Sequence, residues 1–297
     1  MQADIVDAQI HMGPGGVAEV LAAMDALGIA GALIDEYWLR SPPNQPNHPL
    51  PGGGYRPVSP TGELAAQLHP ARFRYLLRVH RLDPEYGAII RQVRDAPGAL
   101  ALRIDPGMSP AEMEAFASGG YDPILGAAEE CGLPLFAFAP DRPEAFARAA
   151  RAFPGLRLIV DHCGIYANSM RQSFAELPPL STDEQLAMFD RVLALAEHPN
   201  LALKWGHASG MFDTPVWPGE GLRPILRRAI SAFGAQRIMW ASDYSVNQRG
   251  ESWAELLFGL RANVDLTDDE RAAMLGGTAR AWLNWPASPA EDRRFTG

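Results

Sequence analysis

The chain is poor in the features that mark secreted, membrane-spanning or nucleic-acid-binding proteins. Only two cysteines, Cys131 and Cys163, occur in 297 residues, so we expect no disulfide framework and a reducing, cytoplasmic location. The formal net charge of −9 argues against a nucleic-acid partner and an anionic membrane surface. No apolar run approaches the roughly 20 residues that span a bilayer, and the N-terminus has no signal-peptide pattern. We therefore expect a small-molecule partner, and homo-oligomerisation stays open.

Apolar runs of strand length recur along the chain, with helical patterns between them. The runs are apolar almost without interruption, which is typical of strands buried on both faces. Strands are predicted at Asp4–Ile10, Ala30–Asp35, Phe73–Val79, Ala99–Arg103, Leu133–Phe138, Leu156–Val160, Leu201–Lys204 and Arg237–Trp240. Apolar residues at spacings of three and four predict helices at Val17–Leu27, Glu85–Arg94, Pro123–Cys131, Pro143–Phe153, Asp183–Glu197 and Leu222–Phe233.

This alternation predicts the fold class α/β, a (β/α)8 TIM barrel in a single domain spanning residues 1–297. A doubly wound open sheet is the alternative, but no glycine-rich phosphate-binding sequence follows the first strand. One stretch, Leu39–Pro60, is rich in Pro, Gly and Asn and follows the second strand. We interpret this stretch as an active-site lid, with a disordered insertion as the alternative.

Histidine or aspartate stands at the ends of three predicted strands. His11 ends the first strand, His162 follows a central one, and Asp243 follows the last. Residues two apart in a strand point the same way, so Gln9 and His11 should face the barrel mouth together. Because barrel enzymes carry their catalytic groups at these ends, we predict one composite site. The alternatives are a hydrogen-bonded core histidine for His11 and a capping carboxylate for Asp243.

The pattern resembles the amidohydrolase superfamily, in particular the amidohydrolase-2 group that includes 2-pyrone-4,6-dicarboxylate hydrolase and sugar-lactone hydrolases. The resemblance covers nearly the whole chain, and the order of its segments at strand ends is more specific than any one of them. The segments are Asp7–His11, Ala101–Arg103, Asp161–Gly164, Leu203–Trp205, Arg237–Asp243 and Leu275–Arg280.

The resemblance implies a His-x-His metal motif, but Gln9 occupies its first position. A neutral amide oxygen is a poor ligand for zinc-like ions, so the implied ligands shrink to His11, His162 and Asp243. Three ligands are enough for a catalytic zinc with an open position, so one divalent metal, preferably zinc, stays open. Related lactonases are thought to need no metal, and Gln9 favours the same here: no required cofactor.

Without a metal, Asp243 is the predicted base that activates water, and His11 and His162 are predicted to donate hydrogen bonds to the developing oxyanion, with Gln9 as a further donor. Cations near strand ends suit an anionic or polyhydroxylated substrate, which Arg103 would clamp through a carboxylate. The alternative for Lys204 is a structural ion pair, and the alternative for Arg103 is a side chain that ties neighbouring strands together. The predicted substrate-binding residues are Gln9, His80, Arg103, Lys204, His207, Tyr244 and Asn247.

The sequence therefore predicts a hydrolase, specifically a lactonase that opens a carboxylate-bearing or sugar lactone with Asp-activated water. Two alternatives remain. One is a metal-dependent decarboxylase or hydratase of the same superfamily. The other is a non-catalytic relative that binds a metabolite, because the first family histidine is absent.

Overall fold

The predicted apolar runs form the strands of one parallel sheet. The computed structural model describes residues 4–12, 16–35, 47–216, 219–244 and 251–285. The sheet contains β1 (Ile5–Ile10), β2 (Ile29–Ile34), β5 (Phe73–Arg78), β6 (Ala99–Ile104), β7 (Leu135–Ala137), β8 (Leu158–Val160), β9 (Leu201–Gly206) and β10 (Ile238–Ala241). Two short strands, β3 (Asn47–Pro49) and β4 (Tyr55–Pro57), form a separate antiparallel hairpin.

The eight strands pair in chain order, and the first and last meet at their carboxyl ends. Tyr244 forms a parallel bridge with Ile10, and the Asp243 N–H donates to the Gln9 carbonyl at 3.1 Å. The (β/α)8 barrel prediction is therefore confirmed. The doubly wound alternative is wrong, because its strand order reverses at a switch point and this order does not.

Helices cover the outside of the barrel and connect its strands. They are α1 (Gly16–Leu27), α2 (Pro60–Leu68), α3 (Tyr86–Asp95), α4 (Pro110–Ala117), α5 (Asp122–Glu130), α6 (Pro143–Ala152), α7 (Asn168–Phe174), α8 (Thr182–Leu193), α9 (Ala208–Met211), α10 (Leu222–Phe233), α11 (Trp253–Arg261), α12 (Asp268–Ala272) and α13 (Thr278–Trp282). Capping boxes begin α8 and α11, where Ser181 and Ser252 pair with Glu184 and Glu255. Within the described ranges, no helix is long and apolar enough to cross a membrane.

The hydrophobic core has two layers, one inside the barrel and one between the strands and the helices. Near the barrel mouth, polar side chains take the place of the apolar ones inside the barrel. Apolar side chains such as Val6, Ala8 and Phe136 fill the barrel interior, while a larger cluster packs between strands and helices. In β1 the pairing register shifts between Asp7 and Ile10, as in a β-bulge. A bulge re-aims the side chains that follow it, so Gln9 takes an inward position after Ala8.

Part of the predicted lid lies within the described residues. Residues 47–57 carry the β3–β4 hairpin, and α2 begins at Pro60, inside the segment interpreted as irregular. The Arg56 guanidinium binds the Asp83 carboxylate through two hydrogen bonds of 2.7 Å, which ties the hairpin to the loop after β5. Residues 39–46 lie outside the described residues, and closure over a substrate stays a prediction.

Candidate active site

Asp243 lies between two imidazoles at the carboxyl end of the barrel. Its Oδ1 lies 2.9 Å from His11 Nε2, and its Oδ2 lies 3.1 Å from His207 Nδ1. All three side chains are buried. The structure therefore brings His207, predicted as a substrate-binding residue, into direct contact with the proposed catalytic carboxylate.

The backbone turns sharply where the site residues stand. His162, His207 and Asp243 have φ angles of 46°, 57° and 59°, in the left-handed region. Residues other than glycine adopt this region at a cost of order 1–3 kcal/mol, and such residues cluster at functional sites. The turns let side chains from β8, β9 and β10 converge after their strands have ended.

The charge of Asp243 is stabilised by its neighbours. Burial alone would raise the pKa of its carboxyl group, but the His11 charge and the hydrogen bonds from His11 and His207 hold that pKa well below its usual range. Asp243 is therefore ionised across the physiological range. A carboxylate with such a low pKa binds a proton weakly, so it readily gives up any proton that it accepts.

His162 is the neutral imidazole of the site. Burial, with the nearby Lys204 charge, lowers its pKa to about 3. Its Nδ1 is buried and has no hydrogen-bond partner among the described residues. Its ring packs edge-on against Phe138 and His207, with centroids 5.4 and 6.2 Å apart. An uncharged ring with one unused nitrogen can donate a hydrogen bond to a substrate oxygen.

Beneath these residues lies a buried ion-pair network. Arg78 donates to Asp35 through Nε at 2.8 Å and Nη2 at 2.6 Å, and its Nη1 donates to Asp105 at 2.8 Å. Arg103 binds both of these carboxylates and also reaches Asp161, 2.9 Å from its Nη2. Every nitrogen of the Arg103 guanidinium thus faces a protein carboxylate. Its predicted contact with substrate stays a prediction.

Lys204 extends the network at the end of β9. Its Nζ pairs with Asp161 Oδ1, and both side chains are fully buried. Burial alone would raise the pKa of Asp161, but the Arg103 and Lys204 charges hold it well below its usual range. The geometry matches the structural ion pair considered for Lys204, and a substrate contact stays a prediction.

Gln9 and His11 face the site together, as their spacing predicts. The Gln9 Nε2 donates to Asp35 Oδ2 at 2.9 Å and lies 3.3 Å from His11 Nε2. The His11 Nδ1 lies 2.5 Å from the Asp35 backbone oxygen, which accepts its proton. One N–H group of Gln9 is therefore bound to Asp35, and its Oε1 has no partner in the described part of the chain. The predicted hydrogen bond from Gln9 to an oxyanion stays a prediction.

The other predicted substrate contacts lie at the edge of the site. His80 packs against the Tyr55 ring of the hairpin, with centroids 4.7 Å apart, and burial lowers its pKa. The Tyr244 ring stacks on Trp253 at 4.7 Å. Asn247 lies outside the described residues. Contacts of these three residues with substrate stay predictions.

The donor set does not fit the metal site that the family resemblance implies. No three His, Cys, Asp or Glu side chains in the described ranges group as metal ligands. Each Asp243 carboxylate oxygen is engaged by an imidazole, and Gln9 turns a nitrogen rather than an oxygen towards His11. A catalytic zinc needs three free lone pairs directed at one point. Whether the protein requires a metal stays a prediction.

The sequence analysis did not single out three charged residues that organise the site. Asp35 and Asp105 follow β2 and β6, and Arg78 ends β5, yet none was singled out. The signal was present, because each is a charged residue at the end of an apolar run. A charge there is buried only when it has a partner. Applied to every strand, this rule selects all three.

Comparisons with known proteins agree with this fold. A family model described as Amidohydrolase (Amidohydro_2) matches residues 63–285. L-fucono-1,5-lactonase of Burkholderia ambifaria is 29% identical over 229 residues, 69% of this chain and 73% of the relative. An uncharacterized Sinorhizobium fredii protein, y4mH, is 28% identical over 138 residues, 46% of this chain and 41% of that relative.

Solved structures give the same architecture. A Burkholderia multivorans amidohydrolase with bound HEPES superimposes with a TM-score of 0.72 at 16% identity, covering 96% of this chain and all of the other. A putative 2-pyrone-4,6-dicarboxylic acid hydrolase of Pseudomonas putida gives 0.65 at 19% identity, covering 96% and 98%. The family match spans most of the barrel, from α2 through β10 to Trp285. The chain therefore belongs to the amidohydrolase family.

Proposed function

We propose that this protein is a lactonase, which opens a cyclic ester with water. The observation that carries the proposal is the Asp243 carboxylate, bound by His11 and His207, beside the unpartnered nitrogen of neutral His162. Ester hydrolysis needs a proton acceptor for water and a donor for the developing oxyanion. The L-fucono-1,5-lactonase relative supports the same reaction class.

In the first step, water attacks the lactone carbonyl carbon. Its oxygen bonds to that carbon, and its proton leaves to Asp243, whose Oδ2 is held in position by the hydrogen bond from His207 Nδ1. The carbonyl π electrons move to the oxygen, and the resulting oxyanion accepts a hydrogen bond from His162 Nδ1. Because the low pKa of Asp243 makes this carboxylate a weak base, it holds the proton only until the intermediate collapses.

In the second step, the tetrahedral intermediate collapses. The carbonyl re-forms, the ring C–O bond breaks, and its electron pair remains on the leaving oxygen. That alkoxide takes the proton from Asp243, which yields a hydroxy acid and restores the carboxylate. The buried network beneath holds the groups in place, because Asp35 fixes both Gln9 and His11.

Replacement of Asp243 by Asn tests the proposal most directly. Asn cannot accept the water proton, so lactone turnover should fall about 10²–10⁴-fold. Proton release from a panel of pyrone dicarboxylates, muconolactones and aldonolactones measures it, with the exposed Asp190→Asn as the matched control. Full activity in Asp243→Asn would remove Asp243 as the proton acceptor.

Metal removal tests the cofactor part of the proposal. Because no step uses a metal, turnover by metal-analysed protein should survive prolonged chelation. Activity that disappears with chelator and returns with zinc or manganese would contradict a metal-independent site. It would also favour the metal-dependent branch of the family.

A further inference from the structure

We propose that the substrate is a neutral, hydroxylated lactone and that Gln9 recognises one of its hydroxyl groups. The proposal rests on the lactonase function proposed above and names the substrate class of that site. Three observations support the proposal. Described cations beneath the site are paired with protein carboxylates, the Gln9 amide is held in one orientation, and the groups that face a ligand are hydrogen-bond acceptors.

Among the described residues, three cations beneath the site are bound by the protein's own acids. Three positive side chains meet three carboxylates in the pairs Arg78–Asp35, Arg78–Asp105, Arg103–Asp35, Arg103–Asp105, Arg103–Asp161 and Lys204–Asp161. A carboxylate-bearing substrate would need to break a buried ion pair to reach any of these cations, which leaves a buried acid unpaired. These three cations therefore do not favour an anionic substrate.

The Gln9 amide has one orientation that its surroundings permit. Asp35 accepts hydrogen bonds from Arg78 and Arg103, so it is an ionised carboxylate and can only accept. Gln9 Nε2 donates to it at 2.9 Å. The flipped amide would place its oxygen against the Asp35 oxygen, which repels it. Gln9 Oε1 therefore faces away from Asp35 as an acceptor.

That oxygen is buried and has no partner within the described residues. A buried unpaired acceptor is costly until a donor reaches it. It belongs to an amide 3.3 Å from His11 Nε2, which itself lies 2.9 Å from Asp243 Oδ1. A ligand entering here meets the Gln9 oxygen and the Asp243 carboxylate, both acceptors. A hydroxyl group supplies the missing donor, whereas a carboxylate supplies none and is repelled by Asp243.

The test measures binding without turnover. The ligands are a 1,5-anhydrohexitol, which is a hydroxylated ring without the lactone carbonyl, its monodeoxy derivatives, and the corresponding ring acid. Calorimetry compares wild type, Gln9→Met, and Gln67→Met, an exposed glutamine of α2. We expect one deoxy derivative to bind wild type about 10-fold more weakly than the parent, the size of one neutral hydrogen bond. Gln9→Met should bind parent and derivative alike, and Gln67→Met should match wild type.

Three outcomes would overturn the proposal: tighter binding of the ring acid, equal deoxy penalties in wild type and Gln9→Met, or no binding of any hydroxylated ring. Should Gln9→Met fail to fold, Gln9→Asn keeps the amide but withdraws its oxygen, and the wild-type deoxy series still decides the substrate class. Gln9-dependent binding without lactone opening would defeat the lactonase proposal alone. Turnover that prefers carboxylated lactones would defeat this inference alone.

Discussion

At the scale of single residues, Lys204 lies in an environment that is rare for a lysine side chain. It is the only lysine in the chain, and its side chain is completely buried. An ammonium group persists in such a place only when a carboxylate neutralises it, and Asp161 does so. The ring of Phe136 also lies 6.0 Å from its Nζ. The lysine therefore fixes the carboxylate that links β8 to the rest of the network.

Lys204→Met should destabilise the protein by about 3 kcal/mol, because it leaves part of the Asp161 charge uncompensated in the core. Urea denaturation measures the loss. The matched control is Arg228→Met, whose ion pair with Asp190 is largely exposed and should contribute less than about 1 kcal/mol. Equal losses in the two variants would mean that Arg103 alone satisfies Asp161.

At the scale of elements, Asp7 joins the two strands that close the barrel to helix α11. One carboxylate oxygen accepts from the Ser242 and Gln9 N–H groups at 3.0 and 3.2 Å, and the other accepts from the Trp253 indole at 2.8 Å. Burial nevertheless outweighs these hydrogen bonds and raises the Asp7 pKa to about 6. The hydrogen bonds thus hold the carboxyl group in place, although burial disfavours its charged form.

The raised pKa of Asp7 makes stability depend on pH. Its folded-state pKa of about 6 exceeds the ordinary value of 3.8, so its contribution is fully present below that value and is lost as pH rises through 6. Relative to Asp7→Asn, which does not titrate, wild type should lose about 2 kcal/mol of unfolding free energy from about pH 4 to about pH 8. Denaturation of both proteins across that range measures it, and a constant difference would contradict the raised pKa.

Much of the element order follows from sequence because hydrophobic burial leaves a direct pattern. The eight predicted strands lie within two residues of the observed ones, since both faces of each strand are buried. Helix α2 was not predicted, because its first residue, Pro60, is the last residue of a Pro- and Gly-rich stretch that has no helical pattern. Proline is nevertheless permitted in the first turn of a helix.

The partners within the site were harder to predict. Positions at strand ends predicted that His11 and Asp243 would meet, and the barrel brings them together. Strand-end positions did not predict that Arg103 would bind three carboxylates, because such pairing depends on the directions of side chains on neighbouring strands. Nor did the spacing of residues along the sequence predict that Asp35 would accept a hydrogen bond from Gln9.

At the scale of the whole molecule, the two ends of the described chain meet beneath the barrel. Arg280 in α13 binds Asp4 through two hydrogen bonds of 2.9 and 2.8 Å, just before β1 begins. Trp285 lies against Gly31 of β2, and its ring contacts the Arg280 guanidinium at 5.0 Å. The closing segment, residues 273–285, comprises the helical turn Ala273–Gly277, α13 and the residues up to Trp285. It seals the end of the barrel opposite the site and holds β1 against β10.

The tightest point of this seal is Gly276, which supplies the last prediction. A Cβ added at Gly276 would fall 1.9 Å from the Asp4 backbone oxygen, so Gly276→Ala must push the closing segment away from β1. A Cβ added at the neighbouring Gly277 would lie 3.4 Å from its nearest atom, the Ala272 backbone oxygen, which is an ordinary contact. Gly276→Ala should therefore lose at least about 2 kcal/mol. Gly277→Ala should be neutral or gain about 0.5 kcal/mol from helical propensity.

Thermal and urea denaturation of the two glycine variants, side by side, measure this difference. Both changes add the same methyl group to the same helical segment, so only the approach to β1 distinguishes them. If Gly276→Ala were as stable as Gly277→Ala, the segment would not be pressed against the first strand, and its docking could not account for barrel closure. A selective loss at Gly276 would instead tie the closing segment to the strand that carries Gln9 and His11, because moving β1 moves both site residues.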